Sequence, residues 1–329
     1  RSTPSNSSAA SDVYKRQVFK KPIWIKAGLS GIKIENINWG EEIEIIPQED
    51  SFCLVNGRRY RGAILIIERN KNNLQVINRL SLEKYLYGVL KLEISPDWPL
   101  STLSAQAIVA RTYAFKRLKE AKTYITNITD DQVYGGVEAE DPRVRIAVDL
   151  TRGEILTYKN EPIEAFYHAC SGGYVTGSED VWGKKYPYLI AHKDPFSLTS
   201  PYSRWTVEIS KQELKKMLKM HGKEVKNIKF IKIIEKDKSG RVLKLLLGDE
   251  KNFYVLKGVE FRKIVGQNVL KSTLFSIKKE DSVFVFQGKG WGHGVGMSQW
   301  GAKKMGEMGY SIEEILKFYY PGTKIQKIY

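Results

Sequence analysis

The sequence predicts an α+β fold: a mixed helical and β catalytic-type domain preceded by antiparallel β segments. Three observations carry the prediction. Short β-type segments follow one another between Val18 and Ile77, a long helical pattern begins at Ser101, and hairpins alternate with short amphipathic helices further on. At 329 residues and 42% hydrophobic content the chain can build a sizeable core, in one large domain or two ordinary ones. No apolar run reaches the roughly 18 residues that a membrane-spanning helix requires.

Residues 1–17, RSTPSNSSAASDVYKRQ, are Ser-rich and carry no apolar stretch of the secretion-signal type, so they read as an added or disordered tail outside the fold. Residues 18–75 form the expected N-terminal β region, where IWIKA, GIKIENI, EIEIIP, FCLV, GAILIIE and LQVIN are separated by Gly, Asn and charged turns. Residues 76–329 form the main domain. Its first segment, SLEKYLYGVLK, changes period and sets Leu82, Tyr85, Leu86 and Val89 on one helical face, with a start near Ser81. After the loop LEISPDWP comes STLSAQAIVARTYAFKRLKEAK, in which Leu103, Ala107, Ala110 and Ala114 make a narrow stripe of small residues. Pro99 stands just ahead of it, where proline is tolerated.

Residues 131–205 read as a Gly-Gly loop (DQVYGG), a short helix (DPRVRIAVDLT), a strand pair (GEILTYKNEPIEAFYHACSGG) and a long loop through PYLIAHKDPF. Residues 205–285 read as a helix-hairpin-helix subregion: KQELKKMLKMHG, a hairpin turning at Ser239 and Gly240, and GVEFRKIVG.

Lys plus Arg exceed Asp plus Glu by 53 − 37 = +16, which points to anionic surroundings such as a bacterial wall polymer, acidic lipid or nucleic acid. The charge is spread along the chain without a basic arm or a nucleic-acid-binding signature, so nucleic acid is not expected as a partner. Two cysteines, Cys53 and Cys170, are too few for a disulfide framework and too far apart for a zinc ribbon. They read as small buried hydrophobes, with a single bridge as the alternative.

Three motif clusters carry a resemblance. NRLSLEKYLYGVLKLEISPDWPLSTLSAQAIVARTYAF is similar to the signature of the SpoIID/LytB family, in which a glutamate precedes a Trp-Pro loop and a helix. DQVYGG with AFYHACSGGYVTGSEDVWG and PYL is similar to the family's middle motifs, and GKGWGHGVGMSQWGA with FYYPGT to its C-terminal motif. SGRV, KGVEFRKIVG and KSTLFSI extend the likeness over roughly residues 57–325. One departure is Ile94-Ser95, where many relatives carry Met-Pro.

The resemblance implies a peptidoglycan lytic transglycosylase. It would cleave the MurNAc–GlcNAc bond with Glu93 as general acid and base and leave 1,6-anhydro-MurNAc ends, preferring strands stripped of stem peptides as related sporulation enzymes do. It also implies an alternative, a non-catalytic wall-binding activator of an N-acetylmuramoyl-L-alanine amidase. The expected partners are peptidoglycan glycan strands and a cell-wall amidase or other wall-remodelling enzymes. The expected setting is extracytoplasmic, cell wall or periplasm, with the protein a monomer and without a membrane span in this sequence.

The residues permit this chemistry. Protonating a glycosidic oxygen needs a carboxylic acid kept neutral by apolar surroundings, which Leu92, Ile94 and Trp98 can supply to Glu93. Taken alone, a loop glutamate is more often solvated, and the resemblance reverses that preference. A hydrolase needs a second carboxylate, for which Asp97, Asp130, Asp131 and Asp180 are available, whereas a transglycosylase uses the muramic acid's own 6-hydroxyl and needs one. Asp97 reads as a turn residue beside Pro96 and Asp180 as a capping group.

The candidate substrate-binding residues are Arg111, Tyr134, His168, Ser171, His293 and Gln299. Arg111 lies beside Ile108 and Phe115 on the helix, placed either to bind a lactyl carboxylate or to pair with an internal acid. Tyr134 either lines a groove or fills the core. His293, among glycines and close to Trp291, Gln299 and Trp300, suits sugar stacking and hydrogen bonding, or else a rigid loop. In AFYHACSGG, period two puts His168 and Cys170 on one side of a strand and Tyr167 and Ser171 on the other, so a Cys–His dyad is a minority reading. No cofactor is expected. Some sporulation relatives bind zinc through His and Cys in this region, which makes His168 and Cys170 weak zinc candidates, but only one Cys is present locally.

Overall fold

The computed structural model describes residues 22–28, 31–48, 51–70, 73–121, 125 and 132–329. The expectation for residues 1–17 and the carboxylates Asp130 and Asp131 lie outside them. The fold is α+β, and the chain divides into two compact units between Ser81 and Leu82, a few residues beyond the boundary expected from sequence because the last strand of the β region runs to Arg79.

The first unit is all antiparallel β. Ile25–Gly28, Gly31–Ile34 and Ile37–Asn38 form one sheet, and Glu42–Ile45, Ala63–Asn70 and Asn73–Arg79 form another. Strands Cys53–Val55 and Arg58–Tyr60 join through Asn56 and Gly57, whose φ of 49° and 80° are what a tight hairpin turn demands. The period-two pattern sends Ile32 and Ile34 from one strand and Ile64 and Ile66 from another into a core shared with Ile43 and Cys53.

The second unit contains α1 (Leu82–Tyr87), α2 (Leu90–Glu93), α3 (Leu100–Ala121), α4 (Pro142–Leu150), α5 (Ser178–Trp182), α6 (Lys211–Met220), α7 (Gly258–Val265), α8 (Gln299–Glu307) and α9 (Ile312–Tyr319). The helix expected across SLEKYLYGVLK breaks in two at Gly88 and Val89. Gly88 faces the Tyr134 ring so closely that a Cβ there would come within 2.5 Å of it. Helix α4 starts as its sequence predicts, with Asp141 accepting from Arg143 N at 2.9 Å and proline in the first turn. Helix α6 opens with a reciprocal capping box between Ser210 and Glu213.

The strand pair expected over 153–173 is a hairpin of Glu154–Tyr158 with Glu161–Pro162, turning at Lys159 and Asn160 (φ 52° and 64°), and Lys324–Lys327 pairs on its other side. The two-residue strand Tyr167–His168 lies parallel to Met297–Ser298, which lays the middle motif against the C-terminal one. Residues 205–286 keep a core of their own: Leu214 and Leu218 of α6 and Phe261 of α7 pack with Leu245, Leu247, Phe284 and Phe286 from the strands.

Helix α3 differs most from expectation. In place of a narrow stripe, every residue from Thr102 to Ala114 is buried, so the helix runs through the middle of the unit with packing on all sides. Its small residues let neighbours approach closely. Ile108 and Val109 join Leu156, Met297, Met305 and Tyr319 in the larger core. All-round burial forces any polar residue on α3 to find partners inside the protein.

Arg111 does so. Nε and Nη2 donate to the Glu83 carboxylate at 3.0 and 2.6 Å, Nη2 also to Val148 O at 3.0 Å, and Nη1 to Thr151 Oγ1 and Glu154 O at 3.3 and 3.1 Å. Glu83, 2% exposed, also accepts from Gly153 N at 2.9 Å and from the Tyr329 hydroxyl at 2.7 Å. Replacing Arg111 by Met leaves Glu83 buried and uncompensated. The expected cost is about 3–5 kcal/mol in urea unfolding, with much of it restored when Glu83→Gln is added. A single-variant loss below about 1 kcal/mol would contradict this account of the core.

Candidate active site

Glu93 is the last residue of α2. Ile94 turns to an extended conformation (φ −142°, ψ 155°) while its N–H still bonds Leu90 O at 2.9 Å, and the chain then folds through Ser95–Trp98 into α3. Two of the three apolar neighbours expected around Glu93 are buried: Ile94 and Trp98 pack with Leu103 and Ala147, and Trp300 meets Trp98 edge to face at 5.2 Å. Leu92 is 49% exposed instead. Asp97 is an exposed turn residue whose N–H donates to Ser95 Oγ at 3.3 Å, as expected beside Pro96.

Glu93 is half-buried, and the Tyr167 hydroxyl and the Gln299 side-chain amide are the two neutral groups that act on its titration. Both are themselves oriented. Gln132 Nε2 donates to the Tyr167 oxygen at 3.2 Å, and Gln132 Oε1 is occupied by the Tyr85 hydroxyl at 3.2 Å, which fixes which way the Gln132 amide faces. Because the Tyr167 oxygen accepts from Gln132, its own hydrogen is free to point at Glu93. Gln299, first residue of α8, gives a second amide hydrogen to Gln106 Oε1 over a long 3.5 Å. Burial raises the Glu93 carboxyl above the ordinary glutamate range, and the two donors pull partly the other way. Burial and then the neighbouring Glu93 hold Tyr167 well above the usual tyrosine range, so it stays a donor.

Strand alternation sends His168 away from Tyr167. His168 is buried, and its Nδ1 lies 3.1 Å from Val295 O, which puts the proton on Nδ1 and leaves Nε2 a bare acceptor without a partner among the described residues. Its ring stands 5.4 Å from that of His293. His293 Nδ1 accepts from Val295 N at 3.1 Å, and its ring lies 5.1 Å from Trp182. Burial pushes His293 down to about 4 and His168 well below the usual range, so both imidazoles are neutral at pH 7.

The structure thus sets Gln299 where its amide acts on Glu93, and pairs the rings of His168 and His293 on the side of the strand away from Tyr167. Tyr134 is buried against Tyr85 at 5.4 Å and acts as packing over Gly88. Arg111 is spent on Glu83 and three further acceptors, so the lactyl-carboxylate expectation gives way to internal pairing. Ser171 is likewise interior. Its hydroxyl meets Asp194 Oδ2 and Ser197 Oγ, both at 2.7 Å, and its carbonyl accepts from Arg241 at 2.7 Å. Asp180 lies in α5 and interacts with Thr176.

Cys170 directs its thiol to Ser197 O at 3.5 Å, and burial raises its pKa, so it forms no dyad with His168. Both cysteines are free and buried. The residues do not fit a zinc centre: His168 offers a bare nitrogen, but Cys170 turns to Ser197, and among the described residues no group of three His, Cys, Asp or Glu is arranged to hold a metal. Sequence reasoning missed Tyr85, Gln106, Gln132 and Tyr167 as participants. Only Tyr167 had a signal, as the residue facing opposite His168.

Comparison with known proteins bears on this arrangement. The profile of a family described as Stage II sporulation protein matches residues 70–158, which contain Glu93 and α3, and a domain of unknown function matches residues 184–296. Stage II sporulation protein D of Bacillus subtilis is 31% identical over 274 residues, covering 77% of this chain and 76% of that protein. The chain belongs to the stage II sporulation protein D family. Within reach of this family, the amidase enhancer of Bacillus subtilis is 31% identical over 354 aligned positions, covering 92% of this chain and 49% of that protein, so the chain spans about half its length. An uncharacterised protein of Brachyspira hyodysenteriae is 36% identical over 299 residues, 90% of this chain and 79% of its own.

If Tyr167 stabilises the ionised form of Glu93, then Tyr167→Phe raises the Glu93 pKa further, since a donor to the carboxylate is lost. Carbon-13 carboxyl NMR titration of wild type and variant reads this directly. A Glu93 titration unmoved by the substitution would mean that the hydroxyl does not serve the carboxylate.

Proposed function

We propose that this SpoIID-family protein is a peptidoglycan lytic transglycosylase that cleaves the MurNAc–GlcNAc bond with Glu93 as sole acid and base. The observation that carries the reading is the environment of Glu93: burial lifts its pKa, and the groups that act on it among the described residues are a tyrosine and a glutamine, with no second carboxylate among them. Burial of this kind favours the neutral form, which is the form that donates a proton.

In the proposed reaction Glu93 protonates the glycosidic oxygen as the bond from that oxygen to the muramic C1 breaks, and positive charge develops at C1. Tyr167 and Gln299 then stabilise the new carboxylate. The carboxylate takes the proton of the 6-hydroxyl as that oxygen bonds to C1, closing a 1,6-anhydro ring and restoring neutral Glu93. No water is consumed. The neutral His168 and His293 carry no charge that competes for the proton. The excess of 16 positive charges favours residence on an anionic wall, in an extracytoplasmic setting, with peptidoglycan strands as partner.

A second reading is favoured by the amidase-enhancer relative: a wall-binding protein that stimulates a separate cell-wall amidase. It gives Glu93 no reason to be held as an acid.

Digestion of purified peptidoglycan, intact and amidase-stripped, with wild type and Glu93→Gln separates the two. Mass spectrometry should find 1,6-anhydromuramic ends with wild type and a loss of about 10²–10⁴-fold in the variant. Anhydro ends undiminished in Glu93→Gln would remove Glu93 from the chemistry. Release of no glycan by either protein, with both accelerating an amidase, would establish the second reading.

A further inference from the structure

A chain of aromatic rings leads away from the Glu93 loop. Trp98, at the end of that loop, meets Trp300 at 5.2 Å; Trp300 meets Tyr202 at 6.1 Å; Tyr202 meets Trp291 at 4.6 Å. Trp98 is buried, while Trp300, Tyr202 and Trp291 are half-exposed. Trp300 directly follows Gln299, whose amide acts on Glu93, and Trp98 packs against Ile94, the residue after Glu93.

The far end is rigid. Cys170 and Trp291 exchange backbone hydrogen bonds of 3.0 and 2.8 Å, Gly290 N donates to Tyr202 O at 2.9 Å, and Gly292 N donates to Lys271 O at 2.8 Å. Gly290 and Gly292 have φ of 76° and 112°, and a Cβ at either would lie within 2.7 Å of the 168–170 segment. Glycine is required at both positions, and the side chains of Trp291, Tyr202 and Lys271 are held together as a consequence.

The cations along the strip differ. Lys303 sits over Trp300 but is paired with Glu307. Lys271 sits 4.9 Å from the centroid of Trp291, and its ammonium donates only to Asn268 O, at a long 3.5 Å, with no carboxylate partner among the described residues. An uncompensated ammonium beside a half-exposed indole suits a ligand with an apolar ring face and a nearby anion.

We propose that the strip from Trp300 through Tyr202 to Trp291 is a glycan subsite, and that Lys271 binds the free lactyl carboxylate of a muramic acid in a peptide-stripped strand. The inference rests on the peptidoglycan reading above and assigns to Lys271 the role that the sequence suggested for Arg111. In a strand that keeps its stem peptides the lactyl group is an amide, and this ion pair is lost.

The test measures binding by calorimetry with the full chain carrying Glu93→Gln, so that turnover plays no part. The probes are amidase-stripped glycan strands and chitohexaose, a sugar oligomer with no lactyl group. Lys271→Glu should weaken binding of the stripped strands by about tenfold or more and leave chitohexaose unchanged, while Lys271→Arg keeps both. Trp291→Ala should weaken both probes. The proposal is overturned if Lys271→Glu affects both probes equally or neither, or if Trp291→Ala, shown folded by its melting curve, binds both as before. Should Trp291→Ala fail to fold, the two Lys271 variants decide alone. The cleavage assay with the unmodified chain judges Glu93 separately, so the two readings can fail independently.

Discussion

The buried ion pair between Glu83 and Arg111 is the constraint on which the second unit depends. It joins α1 to the middle of α3, and through Thr151, Val148 and Glu154 it also fixes the end of α4 and the strand that follows. The Tyr329 hydroxyl closes the same network from the C-terminus. A charge pair so deep adds little net stability compared with an apolar substitute, but it penalises every arrangement in which one partner lacks the other. Its effect is to specify position. Helix α1 continues through the break at Gly88 into α2, so the anchor on Glu83 also governs where Glu93 emerges.

At the site itself two opposing effects act on one carboxyl. Burial favours the neutral form, which a proton donor needs, and the hydroxyl of Tyr167 and the amide of Gln299 favour the ionised form, which a base needs. A group that must be acid in one half of a reaction and base in the other benefits from this balance, because neither state is held too strongly. The donors are prepared in advance: Gln132 and Tyr85 fix the direction of the Tyr167 hydrogen, and no reorientation is needed when charge forms on Glu93. The parallel pairing of Tyr167–His168 with Met297–Ser298 makes this possible, bringing distant stretches of sequence to one edge.

Much of this was legible in the sequence, in proportion to how local the physics is. The α+β class, the start of α1, the short helix α4 and the hairpin at Ser239–Gly240 depend on neighbouring residues, and were readable from period and turn chemistry. Glu93 and Gln299 stood out through motifs, and the Gln299 amide acts on the Glu93 carboxyl. Arg111 was ambiguous because its partner, Glu83, lies on another helix, and the stripe on α3 gave no sign that the helix would be enclosed on every side. Ser171 read as a substrate-binding candidate, but its partners Asp194 and Arg241 lie well along the chain and turn it inward. The polar relay of Tyr85, Gln132 and Tyr167 had no pattern to reveal it, since hydrogen-bond direction depends on tertiary placement.

The pH dependence of glycan cleavage by the wild-type chain tests the central claim most directly. On the proposed reading Glu93 must carry its proton to act, and burial has raised its pKa. Activity should therefore hold on the acid side of that elevated value and fall as pH rises through it, above the usual glutamate range. A rate that stays level through this window, or climbs with pH, would contradict the assignment of Glu93 as the acid that breaks the strand.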